Sequence, residues 1–189
     1  MTAPTLFDQT PARPVPAPAG AGARPGDPAI TITVHGLPAP QGSKRHVGGG
    51  VMIESSKKVK PWRQDVKYAA LDAIGGGWTL LDGPLVASMV FTFARNKGHY
   101  RTGRNAHLLR DSAPARPAVT PDLSKILRST EDALTGVVWK DDARVVEYAA
   151  LGKWYAGTDA PDVLDGPGCV IRVWRLGQRG PDLEAVAAR

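Results

Sequence analysis

The segment from Thr120 to Val146 constrains the fold more tightly than any other part of the chain. Thr120-Pro121-Asp122 reads as a helix start: a hydroxyl able to cap, a proline suited to the first helical position, and an acid well placed against the helix dipole. At about 100° per residue, Leu123, Ile126, Leu127, Ala133 and Leu134 share one face, which must be buried. Asp122, Lys125, Ser129 and Asp132 lie along one polar flank of it, and Ser124, Arg128 and Glu131 along the other. Gly136 stops the helix. Val137-Val138-Trp139 and Val145-Val146 then bracket Asp141-Asp142. The connection is short, so the carboxylate pair must return near the helix.

The flanking sequence supplies the rest of a domain. Ala29 to Gly36 alternates and is β-branched, as a half-buried strand requires. Val51-Met52-Ile53 reads as a short strand. Pro61 opens a helix to about Ile74, with Trp62, Val66, Ala69, Ala70 and Ala73 at helical spacing and Gly75-Gly76-Gly77 as its stop. Leu85–Phe93, Val145–Trp154 and Cys169–Leu176 read as further strands, and residues 96–120 as a long loop of the kind that is usually functional. Helices and strands do not alternate regularly. This favours an α+β fold, a small mixed β-sheet packed with two main helices, over a doubly wound sheet. Residues 1–28 are dominated by Pro, Ala and Gly, and have too little apolar surface to offset their ordering entropy, so a disordered tail is expected there. Residues 29–177 form the expected domain, and 178–189 a C-terminal tail or short helix.

Charge narrows the partners. The net charge is +6 and the pI about 9.7. The cations cluster: Lys44, Arg45, Lys57, Lys58, Lys60 and Arg63 in one stretch, and Arg95, Lys97, Arg101, Arg104, Arg110 and Arg116 in another. Two basic stretches in the same chain as an acidic motif point to a polyanion, nucleic acid above all. Neither glycine triplet is followed by the Lys-Ser/Thr pair of a phosphate-binding loop. The lone Cys169 forms neither an internal disulfide nor a cysteine zinc site, and a buried, inert thiol in a cytoplasmic setting is expected. No stretch is long and apolar enough to span a membrane, and no secretory signal pattern opens the chain.

Carboxylates about 4 Å apart repel by roughly 4 kcal/mol at an effective dielectric near 20, so a converging set needs a cation or a shared proton. Oxygen ligands without Cys or clustered His point to Mg²⁺ or Mn²⁺. His46, His99 and His107 show no ligand-like spacing. From residues alone, Asp122 also reads as a first-turn acid, and Asp141-Asp142 as a turn before a strand.

The run Pro121-Asp122-Leu123-Ser124-Lys125-Ile126-Leu127-Arg128, the Asp132-Ala133-Leu134 helix end, and Trp139-Lys140-Asp141-Asp142 before Val145-Val146 together resemble the signature of the RusA-type Holliday-junction resolvases. Pro38-Ala39-Pro40-Gln41-Gly42-Ser43-Lys44-Arg45 is similar to the family's Pro-rich segment after the first strand, and Lys153 to a basic residue beyond the later one. The resemblance spans roughly residues 30–155 and is strongest over 121–147. It implies a Mg²⁺-dependent endodeoxyribonuclease, a homodimer that cuts paired strands of four-way DNA junctions in recombination and repair, as phage or prophage enzymes do. It further implies metal ligation by Asp122 and Asp142 with Asp141 beside them, and catalytic support from Arg128 and Lys125. Arg128 occupies the family's lysine position and Lys125 its asparagine position. Lys44, Arg45, Lys57, Lys58, Arg101, Arg104 and Lys153 are the expected DNA contacts. Ser124 departs from the pattern, because the family carries a second aspartate there. That departure keeps open a non-catalytic branched-DNA binder derived from such a nuclease. Glu131 lies seven residues beyond Ser124, roughly 10 Å along a helix, and Asp132 could substitute only if the helix packed sideways. Trp62 and Trp139 are expected in the core.

Overall fold

The computed structural model describes residues 26–42, 44–46, 52–54 and 58–176, and for 44–46 and 52–54 the backbone alone. Residues 1–25, Lys57 and the segment 178–189 therefore lie outside the described residues, as do the side chains of Lys44, Arg45 and His46.

The strands are β1 (Ile30–His35), β2 (Lys44–His46), β3 (Met52–Glu54), β4 (Leu85–Phe93), β5 (Val145–Tyr155) and β6 (Gly168–Arg175); the helices are α1 (Val59–Ile74) and α2 (Leu123–Leu134). A four-stranded sheet has the order β1-β6-β4-β5, and β2 and β3 form a separate hairpin. β4 pairs parallel with β5 and antiparallel with β6, so the sheet is mixed and the fold α+β. β4 is central and its first eight residues are buried, which explains its unbroken apolar run. Leu85, Met89 and Phe91 join the same core as Trp62, Val66, Ile126, Leu134 and Trp139 from the helical side. Cys169 is buried there too, and burial pushes its thiol well up, as suits an inert role.

Two local features set the sheet's geometry. Gly168 lies so close to β1 that a Cβ there would sit 2.2 Å from the Val34 carbonyl oxygen. β5 carries two extra residues, Val146 and Ala149, that skip partners on β4. Such bulges bend an edge strand and re-aim its side chains. α1 starts at Val59, two residues before Pro61, and ends where Gly75 takes a positive φ of 60°. Its missing N–H costs Pro61 nothing in the first turn, where amides have no intrahelical acceptor.

Candidate active site

α2 carries the expected acidic machinery, and the way it is seated decides which side chains reach solvent. Ile126, Ala133 and Leu134 are buried as the apolar stripe requires, but so are Ser129 and Thr130. The stripe is thus turned toward α1 relative to the sequence expectation, which put Ser129 on a polar flank. Each buried hydroxyl is satisfied. Ser129 Oγ donates to the Ala39 carbonyl at 2.6 Å, and Thr130 Oγ1 accepts from Trp62 Nε1 at 3.0 Å and donates to the Ile126 carbonyl at 2.8 Å. The Pro-rich segment after β1 lies across the helix, for the Gln41 amide also donates to the Lys125 carbonyl, at 3.0 Å. Asp132 is ion-paired with Arg63 of α1. It is therefore engaged in helix packing rather than standing in for the acid missing at position 124.

The helix start differs from the sequence expectation. Asp122 is the cap residue, with extended φ −64° and ψ 137°, and Leu123 is the first helical residue. Pro121, joined to Thr120 by a cis peptide, lies outside the helix and Thr120 does not cap it. The Asp122 carboxylate makes no capping bond. It pairs instead with Lys125 Nζ at 2.9 Å and stays about half exposed. The Lys125 hydrogen bond and charge, with a smaller contribution from Lys153, hold this carboxyl below its ordinary range, so it is ionised at neutral pH. Lys153 Nζ donates to the Val119 and Pro121 carbonyls at 2.6 and 2.9 Å, which clamps the chain just ahead of Asp122.

The doublet lies further along. Asp141 caps a single 3₁₀ turn, Asp142–Arg144, by accepting from the Ala143 amide at 2.8 Å. Asp142 is exposed, and its charge bears on Glu131 and Tyr148. The Tyr148 hydroxyl, on the bulged stretch of β5, donates to Glu131. Burial raises the Glu131 carboxyl above its ordinary range, the Tyr148 hydrogen bond opposes this, and Asp142 and Asp132 add to it. Asp142 is thus gathered with Glu131, nine residues beyond Asp122 and about 13 Å further along the helix axis. Arg128, exposed on the same flank as Glu131, acts on it as the nearby cation.

The donor set is carboxylate and hydroxyl oxygen, which suits a hard divalent cation. Among the described residues, however, no three His, Cys, Asp or Glu side chains gather closely enough to hold a metal ion. Of the expected DNA contacts, Lys58 and Arg104 are exposed, while Arg101 is engaged with Asp111 at 2.9 Å and Lys153 with backbone carbonyls. Lys44 and Arg45 lie on β2, paired with Glu54 and Ile53.

A protein-family model described as endodeoxyribonuclease RusA matches residues 35–163, more than half of the chain and including α2, the doublet and β5. The chain belongs to the RusA family. No curated protein matches it. Membership places it among endodeoxyribonucleases, which are hydrolases, in a family of Holliday-junction resolvases that bind branched DNA. Among the described residues no helix is long and apolar enough to cross a membrane. Sequence reasoning missed the Arg63–Asp132 and Tyr148–Glu131 contacts, and a cavity of about 410 Å³ lined by Pro121 and Lys153 beside Asp122. The only sequence signal for that cavity was the length of the 96–120 loop.

Proposed function

We propose that residues 29–177 act as a Mg²⁺-dependent endodeoxyribonuclease that incises four-way DNA junctions in recombination and repair, working as a homodimer. The observation that carries this reading is an ionised, solvent-facing Asp122 at the head of α2, flanked by Lys125 and Lys153, in a chain of the RusA family. Asp122 would ligate a cation at the head of α2, and Asp142, with Asp141 beside it, would ligate one near Glu131 at the far end of the helix; Mn²⁺ would substitute. When bound, such a cation neutralises charge on the phosphate and lowers the pKa of water. Lys125 exchanges its partner Asp122 for a phosphate oxygen once the carboxylate is otherwise engaged. Arg128 keeps its charge at every working pH, so it holds a phosphate oxygen rather than giving up a proton. A two-fold dimer presents two identical sites to the two symmetric strands of a junction.

The test is incision of a four-way junction by the full chain, with Mg²⁺, with Mn²⁺ and with chelator. Wild type should cut symmetrically with either ion. Asp122→Asn and Asp142→Asn should each lose about 100-fold or more, the scale of removing one preorganised electrostatic group. Undiminished cutting by either variant defeats the assignment.

Two observations favour a second reading, a branched-DNA binder without incision: Ser124 stands where the family has an acid, and no three ligating side chains gather among the described residues. Ser124→Asp separates the two readings. A gain from no activity to clear cutting supports the binder, and an already active wild type removes it.

A further inference from the structure

The cavity beside Asp122 has a chemistry of its own. Its floor is the C-terminal end of β4 and β5, where Phe93 and Tyr155 stand, and its roof is the chain from Pro114 to Pro121. A volume near 410 Å³ lies at the small end of ligand sites. Most of the wall is apolar. The charged lining residues are Arg95 and Lys153, no carboxylate lines it, and neither cation is in an ion pair among the described residues. The Arg95 guanidinium lies 4.4 Å over the Tyr155 ring, held by a 3.0 Å bond to the Pro114 carbonyl. Lys153 gives two of its three ammonium protons to the Val119 and Pro121 carbonyls, which leaves one donor. His99 stands edge-on to Tyr155, with ring centroids 5.3 Å apart, and its Nδ1 is enclosed with no hydrogen-bond partner among the described residues.

An apolar metabolite would leave both cations unused. A stacked base pair cannot enter a recess of this size. One unstacked nucleotide matches these features: a planar base for the Phe93 ring and the Arg95 guanidinium, and a phosphate for Lys153. Branch points are where DNA offers such bases at least cost. We propose that this cavity is a subsite for one unstacked deoxynucleotide adjoining the scissile phosphate, and that it sets the base preference of cutting. The proposal rests on the nuclease reading for its purpose, but not for its occupancy, and the experiment keeps the two apart.

The full chain is titrated with each of the four deoxynucleoside monophosphates while the His99 ring resonances are followed by NMR. In parallel, incision is mapped on junctions with randomised bases at the branch. Saturable millimolar binding that moves His99, with one base preferred, is expected, along with the same base at the cut site. Ala118→Trp, which fills the cavity from its roof, and His99→Ala, which removes a lining ring packed edge-on to Tyr155, should each weaken that binding by at least about tenfold, the scale of one lost base contact. Both should still cut, with the preference flattened, and their melting temperatures show whether the fold is kept. Nucleotide binding without any incision overturns the nuclease reading and leaves the subsite standing. Incision with no saturable nucleotide binding, or a base preference that survives both substitutions in folded protein, overturns the subsite.

Discussion

Thr130 ties the two helices together through one hydroxyl, accepting from Trp62 of α1 and donating within α2. Thr130→Val keeps the shape but leaves a fully buried indole N–H with no acceptor. The cost should be about 1–3 kcal/mol, read from the midpoint of urea unfolding at unchanged slope. A midpoint equal to wild type would mean that Trp62 finds another acceptor. Glu131 gives a pH signature of the opposite kind to a salt-bridged acid. Its folded-state value is raised above the ordinary 4.5, chiefly by burial. The folded protein therefore binds this proton more tightly than the unfolded chain does. The stabilisation is fully present below pH 4.5 and is lost as pH rises through the raised value. Glu131→Gln, which keeps an acceptor for Tyr148, should be free of that loss. In chelator, the stability of the variant relative to wild type should rise from mildly acidic pH toward neutrality and then level off. A flat difference across that range contradicts the assignment.

At the level of elements, Gly168 is the point where β6 meets β1 too closely for any side chain. Gly168→Ala forces a methyl against the Val34 carbonyl, and backbone can yield only by parting the β1–β6 ladder. Thermal unfolding should show a loss of about 1–3 kcal/mol, with β1 amides losing hydrogen-exchange protection first. An unchanged exchange pattern would place the strain elsewhere. The strands of the four-stranded sheet were readable, whereas β2 lies in a Pro/Gly-rich stretch that reads as loop. The run Leu85–Phe93 is a strand with the expected bounds, and β5 runs one residue past the expected Trp154. Long runs with a clear period carry their own signal. The pairing of β4 with β5 in parallel was not readable, nor were the bulges at Val146 and Ala149, because both depend on which distant strand lies alongside. The seat of α2 was misjudged for a related reason. A helical wheel counts Ser129 and Thr130 as polar, whereas their hydroxyls find acceptors within the helix and in the Ala39 segment, so they can be buried. Those burials and the Arg63 pairing of Asp132 place Glu131 beside Asp142, a juxtaposition that no spacing in the sequence announces.

Across the whole molecule, the basic stretches overstate the charge available to DNA. Arg63 is paired with Asp132 and Arg101 with Asp111, Arg110 donates to the Tyr100 carbonyl, and Arg116 donates to the Lys153 carbonyl while its guanidinium lies 3.4 Å over the Trp154 ring. These arginines shape the site. Lys58, Lys60, Lys97 and Arg104 are exposed and outside the ion pairs of the described residues, and they are the free cations expected to meet phosphates. With about four to six phosphates neutralised, log affinity for a junction should fall with log salt at a slope between about −3.5 and −5.5. Arg104→Ala should lower that slope in magnitude by about 0.9 and leave the melting temperature unchanged. Arg101→Ala should do the reverse: it removes the Asp111 pair and the 3.3 Å bond to the Leu109 carbonyl that hold the loop, so protease sensitivity between residues 100 and 111 rises while the slope barely moves. Equal slope changes in the two variants would show that the division between structural and DNA-facing arginines is drawn in the wrong place.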